Sequence, residues 1–289
     1  MAGETRRAVF AQPEWLRLVP TSLRLPAETS VVFTGCGTSF HAAQTGGFAV
    51  QALEAVLSPP RADIMVCVSH EGTTTLTMEA ERAFGGDVWL VTGTADSELA
   101  ELADEVIVCT PELERSWCHT ASYTCAVAAI AALNGEDVAG LPAAVEQALE
   151  AHVEPFAHDR VLIAGAGRDW PTAEEAALKL REGAWVDATA YETEQLLHGH
   201  LAAVDEHVRA YVLEGEGRAA ERGRDAAAQL EKLGCEVTIL PTRHPVVDIV
   251  HFHLLTLALA DARGIDPDPI RRYPGSRWAE ATGVPYPHG

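Results

Sequence analysis

Lysine is nearly missing from this chain: among 289 residues there are two, Lys179 and Lys232. Basic residues of both kinds number 21 against 42 acidic ones, a formal charge of −21. Such an excess repels polyanions, so nucleic acid and anionic membrane surfaces are not expected partners. Long uninterrupted apolar runs are lacking too, and the start, MAGETRRAVFAQPEW, has no secretory apolar core. Neither a bilayer span nor an export signal is therefore expected, and the expected location is cytoplasmic. The six cysteines, at 36, 67, 109, 118, 125 and 235, include no C-x-x-C pair. Common zinc and redox motifs are excluded, and reduced structural thiols are the expectation. What is present suffices for folding. With 47% hydrophobic residues, the chain can bury one large core or two compact ones.

Strand-like and helix-like patterns alternate along it. Apolar runs bounded by turn residues predict strands at 30–35, 62–69, 87–94, 105–110, 160–167, 207–215 and 235–241. Between them lie amphipathic or apolar helical stretches, among them one expected to run on from the glycine turn at 35–37 through 56. Alternation of this kind predicts an α/β protein with parallel sheets covered by helices on both faces. The unit of strand, glycine turn and helix that opens at residue 30 recurs at residue 160, which predicts an internal duplication. The expected organisation is a lead-in (1–28), a first domain (29–150), a second (151–262) and a tail (263–289).

Two stretches carry chemistry. In the first, residues 174–201, strong helix formers place Glu175, Lys179 and Glu182 near one face. A Glu-Lys-Glu row at four- and three-residue spacing is also the pattern of a solvated, salt-bridged surface. Soon after it, however, His198 and His200 flank Gly199, and carboxylates with imidazoles can move protons near neutral pH. In the second, the turn Cys36-Gly37-Thr38-Ser39 leads into a helix whose first N–H groups could face an anion. A dinucleotide fingerprint would need glycine at position 40, which is Phe40. The other histidines, His41, His70, His119, His251 and His253 among them, form no metal-ligand spacing, so no metal is expected.

These stretches resemble a known family. The run 173–205, AEEAALKLREGAWVDATAYETEQLLHGHLAAVD, is similar to the second sugar isomerase (SIS) domain of glucosamine-6-phosphate synthase and its relatives. Their pattern is A-L-E-x-A-L-K-L-K-E, an A-x-A-Y segment and E-L-x-H-G-P. The SIS signature C-G-T-S-x-x-A is matched by Cys36, Gly37, Thr38, Ser39 and Ala42. A further loop, S-x-S-G-x-T, is matched by Ser69, Gly72 and Thr74, with Glu71 at the second serine. Thr120, Tyr123 and Thr124 match a helix entry that often carries lysine where this chain has Ala121. In the tail, Asp266, Asp268, Arg271 and Ser276 align, but Gly275 (or Arg277, if the register slips) stands where the synthase has a substrate-contacting lysine.

The resemblance implies two tandem SIS domains, each a flavodoxin-like three-layer unit, and an enzyme acting on a sugar or sugar phosphate. It implies that Glu182 carries the proton between C1 and C2 and that His198 opens the ring, in some relatives from a neighbouring subunit. Glu175 and Lys179 would organise the site. Cys36, Gly37, Thr38, Ser39, Ser69, Glu71, Thr74 and Thr120 would bind the sugar or its phosphate. It implies no cofactor and a homodimer or larger assembly, with the tail completing the site. No glutamine-hydrolysing domain is expected, so ammonia from glutamine is not expected within this chain. Without the tail lysine an imine route is disfavoured; Glu and His suffice for isomerisation, or for amine release from an amino- or amine-linked sugar. A non-catalytic sugar-binding regulator is the alternative. Glu71 could itself accept the loop's N–H groups and repel a phosphate, by about 4 kcal/mol at about 4 Å for an effective dielectric near 20. A substrate with a neutral or cationic distal end is therefore expected; the alternative is that Glu71 points to solvent and Ser39, Ser69 and Thr74 still bind phosphate. His200, where the family has proline, belongs either to the site or to the surface.

Overall fold

The computed structural model describes residues 3–282; the outermost residues of the expected lead-in and tail, 1–2 and 283–289, lie outside the described residues. Backbone contacts divide the chain into two compact units. One is Gln147–Ile265; the other joins the residues up to Glu146 with those from Asp266 onward.

The earlier unit contains α1 (Glu4–Leu16), β1 (Val31–Thr34), α2 (Thr38–Gln44), α3 (Ala52–Leu57), β2 (Ile64–Ser69), α4 (Thr75–Ala83), β3 (Asp87–Thr92), α5 (Glu98–Leu102), β4 (Glu105–Val108) and α6 (Ala121–Leu133). Its four strands are parallel, in the order β1-β2-β3-β4. β2, Ile-Met-Val-Cys-Val-Ser, is buried at every residue, as a parallel strand covered on both faces must be. The covers are α1, α2 and α6, which pack together, and α3, α4 and α5, which do the same.

After α7 (Leu141–Ala148), the later unit runs β5 (Arg160–Gly165), α8 (Trp170–Ala184), β6 (Asp187–Glu192), α9 (Thr193–Leu197), β7 (Val208–Leu213), α10 (Arg218–Lys232), β8 (Glu236–Leu240) and α11 (Pro245–Arg263). Its strands are also parallel, in the order β6-β5-β7-β8. Here α8 packs on α11, and α10 on α9. Among the described residues α11 is the one helix long and apolar enough in composition to cross a bilayer. Phe252, Leu255, Leu259 and most of its other side chains are buried in this unit instead.

Two elements differ from the sequence expectation. The helix expected through residue 56 is broken into α2 and α3, and between them Ala49 bridges to Phe33 in parallel. The Phe33 N–H donates to the Phe48 carbonyl and the Val50 N–H to the Phe33 carbonyl, both at 2.9 Å. Gly46 makes the break possible, since a Cβ there would lie 2.4 Å from the Phe33 ring. Residues 48–50 thus stand beside β1 as β6 stands beside β5. Strand β6, the other unexpected element, is rich in small and polar residues and pairs on one side only, so its sequence lacks an apolar run. With residues 48–50 counted, both units wind identically, and chain order reverses at β1 and at β5.

The tail packs within the earlier unit. Asp268 accepts from the N–H groups of Glu4 (3.0 Å) and Thr5 (2.8 Å) and from the Thr5 hydroxyl (2.7 Å), closing the start of α1. After it, α12 spans Arg277–Thr282.

One buried acid sets a pH dependence. Glu81, on α4, is buried, and neither carboxylate oxygen has a hydrogen-bond partner among the described residues. Burial, with Asp104 adding and Arg82 opposing, pushes its pKa up to about 7. A carboxyl whose folded pKa is raised adds stability in full below its unfolded pKa and loses it as pH climbs through the folded value. Glu81→Gln should therefore match wild type near pH 4.5 and exceed it by about 2 kcal/mol at pH 8. Urea unfolding at the two pH values measures this, and an unchanged difference between them would refute it.

Candidate active site

Helix α8 starts with proline near its first position, where the missing N–H costs nothing, and ends with Trp185 in the left-handed region (φ 55). The face it turns inward is the charged one. Glu175 and Lys179 are wholly buried, and Lys179 Nζ lies 3.4 Å from Glu175 Oε1 and 2.6 Å from Glu182 Oε2. The solvated-surface reading of this row is wrong, because α11 packs over α8. Removed from water, an ammonium must be paired to be tolerated. Glu182 is the member that reaches solvent, its side chain 21% exposed, and Lys179 holds its carboxylate in place. His253, on α11, feels the opposing charges of Glu175 and Lys179. Burial drives its pKa down to about 3, so the ring is neutral, and neither nitrogen has a hydrogen-bond partner among the described residues. Sequence reasoning missed it, since a histidine in an apolar helix gives no local signal.

His198 follows the last turn of α9 and is exposed. Its Nδ1 lies 3.0 Å from the Glu194 carbonyl and 3.1 Å from the Glu194 carboxylate. The ring of His200 packs on Tyr191, with centroids 4.7 Å apart.

The remaining expected residues lie in the earlier unit, just beyond the carboxyl ends of its strands. In open parallel sheets, ligands bind there, at the strand where chain order reverses. Cys36, Gly37, Thr38 and Ser39 follow β1, the reversal strand. Gly37 has φ 56, and the Ser39 N–H donates to the Cys36 carbonyl at 3.1 Å. Burial raises the pKa of the Cys36 thiol, opposed by its hydrogen bond with Thr77. Ser69 ends β2, its hydroxyl 3.1 Å from that of Thr74 at the start of α4. Glu71 is exposed, and its carboxylate accepts no hydrogen bond among the described residues. The loop is turned instead by Gly72 (φ 67), whose carbonyl accepts from the Leu99 N–H at 3.1 Å. The expected internal anion at Glu71 is thus absent.

Thr120 is at the start of α6, but its N–H (2.8 Å) and hydroxyl (3.2 Å) both donate to the buried Glu114. Glu114 also accepts from the N–H and hydroxyl of Ser122, at 2.8 and 2.7 Å. This cap reaches across six residues, beyond any local capping pattern, and sequence reasoning did not find it. His70 accepts from the Glu114 N–H at 2.8 Å. Burial, then His119 nearby, lowers the His70 pKa to about 4.

The matching position of the later unit is closed. Beyond β5, Asp169 Oδ2 accepts from the Gly215 N–H (2.9 Å) and the Thr242 hydroxyl (3.1 Å). Asp248 adds a second carboxyl, its pKa pushed up to about 7 by burial first and by Asp169. The two units have therefore diverged. The donors beyond β7 and β8 face the resident carboxylate that follows β5, whereas the turn beyond β1 offers hydroxyls. Among the described residues no cluster of three metal-ligating side chains occurs.

Solved structures share this architecture. The C-terminal domain of glucosamine-fructose-6-phosphate aminotransferase from Francisella tularensis superposes with a TM-score of 0.78 at 19% identity, over 93% of this chain and 98% of that one. Glucosamine-6-phosphate deaminase from Thermotoga maritima gives 0.73 at 20% identity, over 92% and 97%. This chain has the SIS fold. In sequence it is 28% identical to the isomerizing glutamine–fructose-6-phosphate aminotransferase of Symbiobacterium thermophilum, over 83% of its own length. The SIS-fold chain spans about half the length of the curated relatives it matches. No family model matches it.

Proposed function

We propose that this SIS-fold chain is an enzyme acting on a sugar phosphate, amino- or amine-linked, by aldose–ketose isomerisation or amine release, and that its two units are tandem SIS domains. The buried row on α8 carries this reading: a binding surface has no use for a fully desolvated ammonium, whereas a base that must be held rigidly does. In this reading Glu182 moves a proton between C1 and C2, Lys179 and Glu175 hold it, and His198 opens the ring. Cys36 to Ser39, Ser69 and Thr74 bind the substrate, with the tail completing their loop surface. The exposure of His198 favours its serving a neighbouring subunit, hence a homodimer or larger assembly. The relatives' names, an aminotransferase for fructose 6-phosphate and a deaminase for glucosamine 6-phosphate, favour the phosphorylated sugar.

The solvent-facing Glu71 removes the earlier objection to phosphate, since an exposed charge is screened within about 10 Å. Thermal unfolding with glucosamine 6-phosphate, fructose 6-phosphate and the parent sugars tests this. A phosphorylated ligand at a hundred times its Kd should stabilise by about 2.7 kcal/mol, the parent sugars bind at least roughly tenfold more weakly, and Glu71→Ser changes either by a few-fold at most. Equal binding of parent sugars would refute the phosphate reading. Ammonia formed from glucosamine 6-phosphate separates amine release from isomerisation, and binding without turnover would point to a sensor.

A further inference from the structure

We infer that Glu194 is a positioning residue for His198, fixing which imidazole nitrogen carries the proton. This rests on the reading of His198 as the ring-opening group. His198 Nδ1 has two neighbours, the Glu194 carbonyl at 3.0 Å and the Glu194 carboxylate at 3.1 Å. Both are acceptors only, so Nδ1 must bear the hydrogen and Nε2 the lone pair. Among the described residues nothing hydrogen-bonds Nε2.

The carboxylate is itself held. Arg222, on α10, donates to it through Nε at 2.7 Å and Nη2 at 3.1 Å, a two-point fork that leaves little freedom to rotate. Arg222 is anchored in turn by Asp225, at 2.6 Å. These hydrogen bonds, with the charges of Arg222, His198 and Arg218, hold the Glu194 pKa below the ordinary carboxylate range, so it is an anion at neutral pH. A lone exposed Glu–His pair on a helix end would be weak. Here the pair is the end of a chain of charges from two elements: Asp225 anchors Arg222, and Arg222 holds Glu194 beside the imidazole nitrogen.

Ring opening moves one proton and no net charge. The anomeric hydroxyl gives up its proton, the bond from C1 to the ring oxygen breaks, the C1 carbonyl forms, and the ring oxygen takes the proton up. An imidazole with Nε2 bare can accept that proton and return it, while Glu194 stabilises the imidazolium formed between. With the other tautomer, Nε2 would already carry hydrogen and could not start as the base.

The test is nitrogen-15 NMR of histidine-labelled full-length protein, with the His198 signals assigned by their loss in His198→Asn. Wild type should hold neutral His198 mainly as the Nδ1–H tautomer. In Glu194→Ala, where the backbone carbonyl alone remains, the ratio of Nδ1–H to Nε2–H should fall several-fold. Predominant Nε2–H in wild type, or a wild-type ratio in Glu194→Ala, overturns the inference. Turnover of His198→Asn separates the two levels: an unimpaired rate sinks the ring-opening role itself, whatever the tautomer.

Discussion

Replacing Glu182 with glutamine is expected to lower turnover by roughly 10²-fold or more while fold and ligand binding persist. The substitution keeps the shape and a hydrogen-bond acceptor for Lys179 but removes the basic oxygen. Since Glu175 remains 3.4 Å from the ammonium, Lys179 does not lose its countercharge. His198→Asn should be as damaging once a substrate is in hand. If His198 serves the neighbouring subunit, mixing the two inactive variants restores part of the activity through hybrid sites, provided that chains exchange. Steady-state rates on the sugar phosphate that stabilises the protein measure all three. Near-normal turnover in Glu182→Gln would remove this residue from the chemistry.

The second large effect falls on stability. Lys179→Met should destabilise the fold by about 3–5 kcal/mol, because it leaves Glu175 charged, buried and without its ammonium. Methionine fills nearly the same space, so packing contributes little to that figure. Adding Glu175→Gln to the same chain should recover much of the loss, since no uncompensated charge then remains in the interior. Chemical unfolding of the single and double variants makes the comparison. A single-variant loss below about 1 kcal/mol would mean that Glu175 escapes to water or takes up a proton on its own. Escape to water does not fit a side chain wholly buried beneath α11, whereas uptake of a proton would show as a loss that grows with pH.

Strands were the most legible part of the fold. β2, β3, β5 and β7 are buried continuously from their second residue on, so their identity is written in uninterrupted apolar runs. One edge of each sheet was not legible, whereas β4 and β8 on the opposite edges were. The small and polar residues of β6 carry no strand pattern, and Phe48, Ala49 and Val50 form too short an apolar run to be told from the helical stretch around them. The charged row was legible as chemistry: the spacing of Glu175, Lys179 and Glu182 and the His-Gly-His turn were enough to pick out the stretch. Their sequence also marked the likeness to SIS domains that the fold bears out.

The sequence alone therefore determined the α/β class, the internal repeat of strand, glycine turn and helix, and the residues able to move protons. Each of these depends on local order: apolar periodicity, the backbone freedom of glycine, or the spacing of side chains on one helix. Tertiary structure decided which charges are buried, which hydroxyls are already paired and which carboxylate faces water. Lys179 is dry because α11, far along the chain, packs over α8. Thr120 is bound to Glu114, and Asp169 closes the later unit's crevice, because chain reversal brings those groups together. Glu71 stays exposed because Gly72 turns the loop. Solvation and hydrogen bonding are properties of assembled neighbours, and those neighbours exist only once the sheets and their helices have packed.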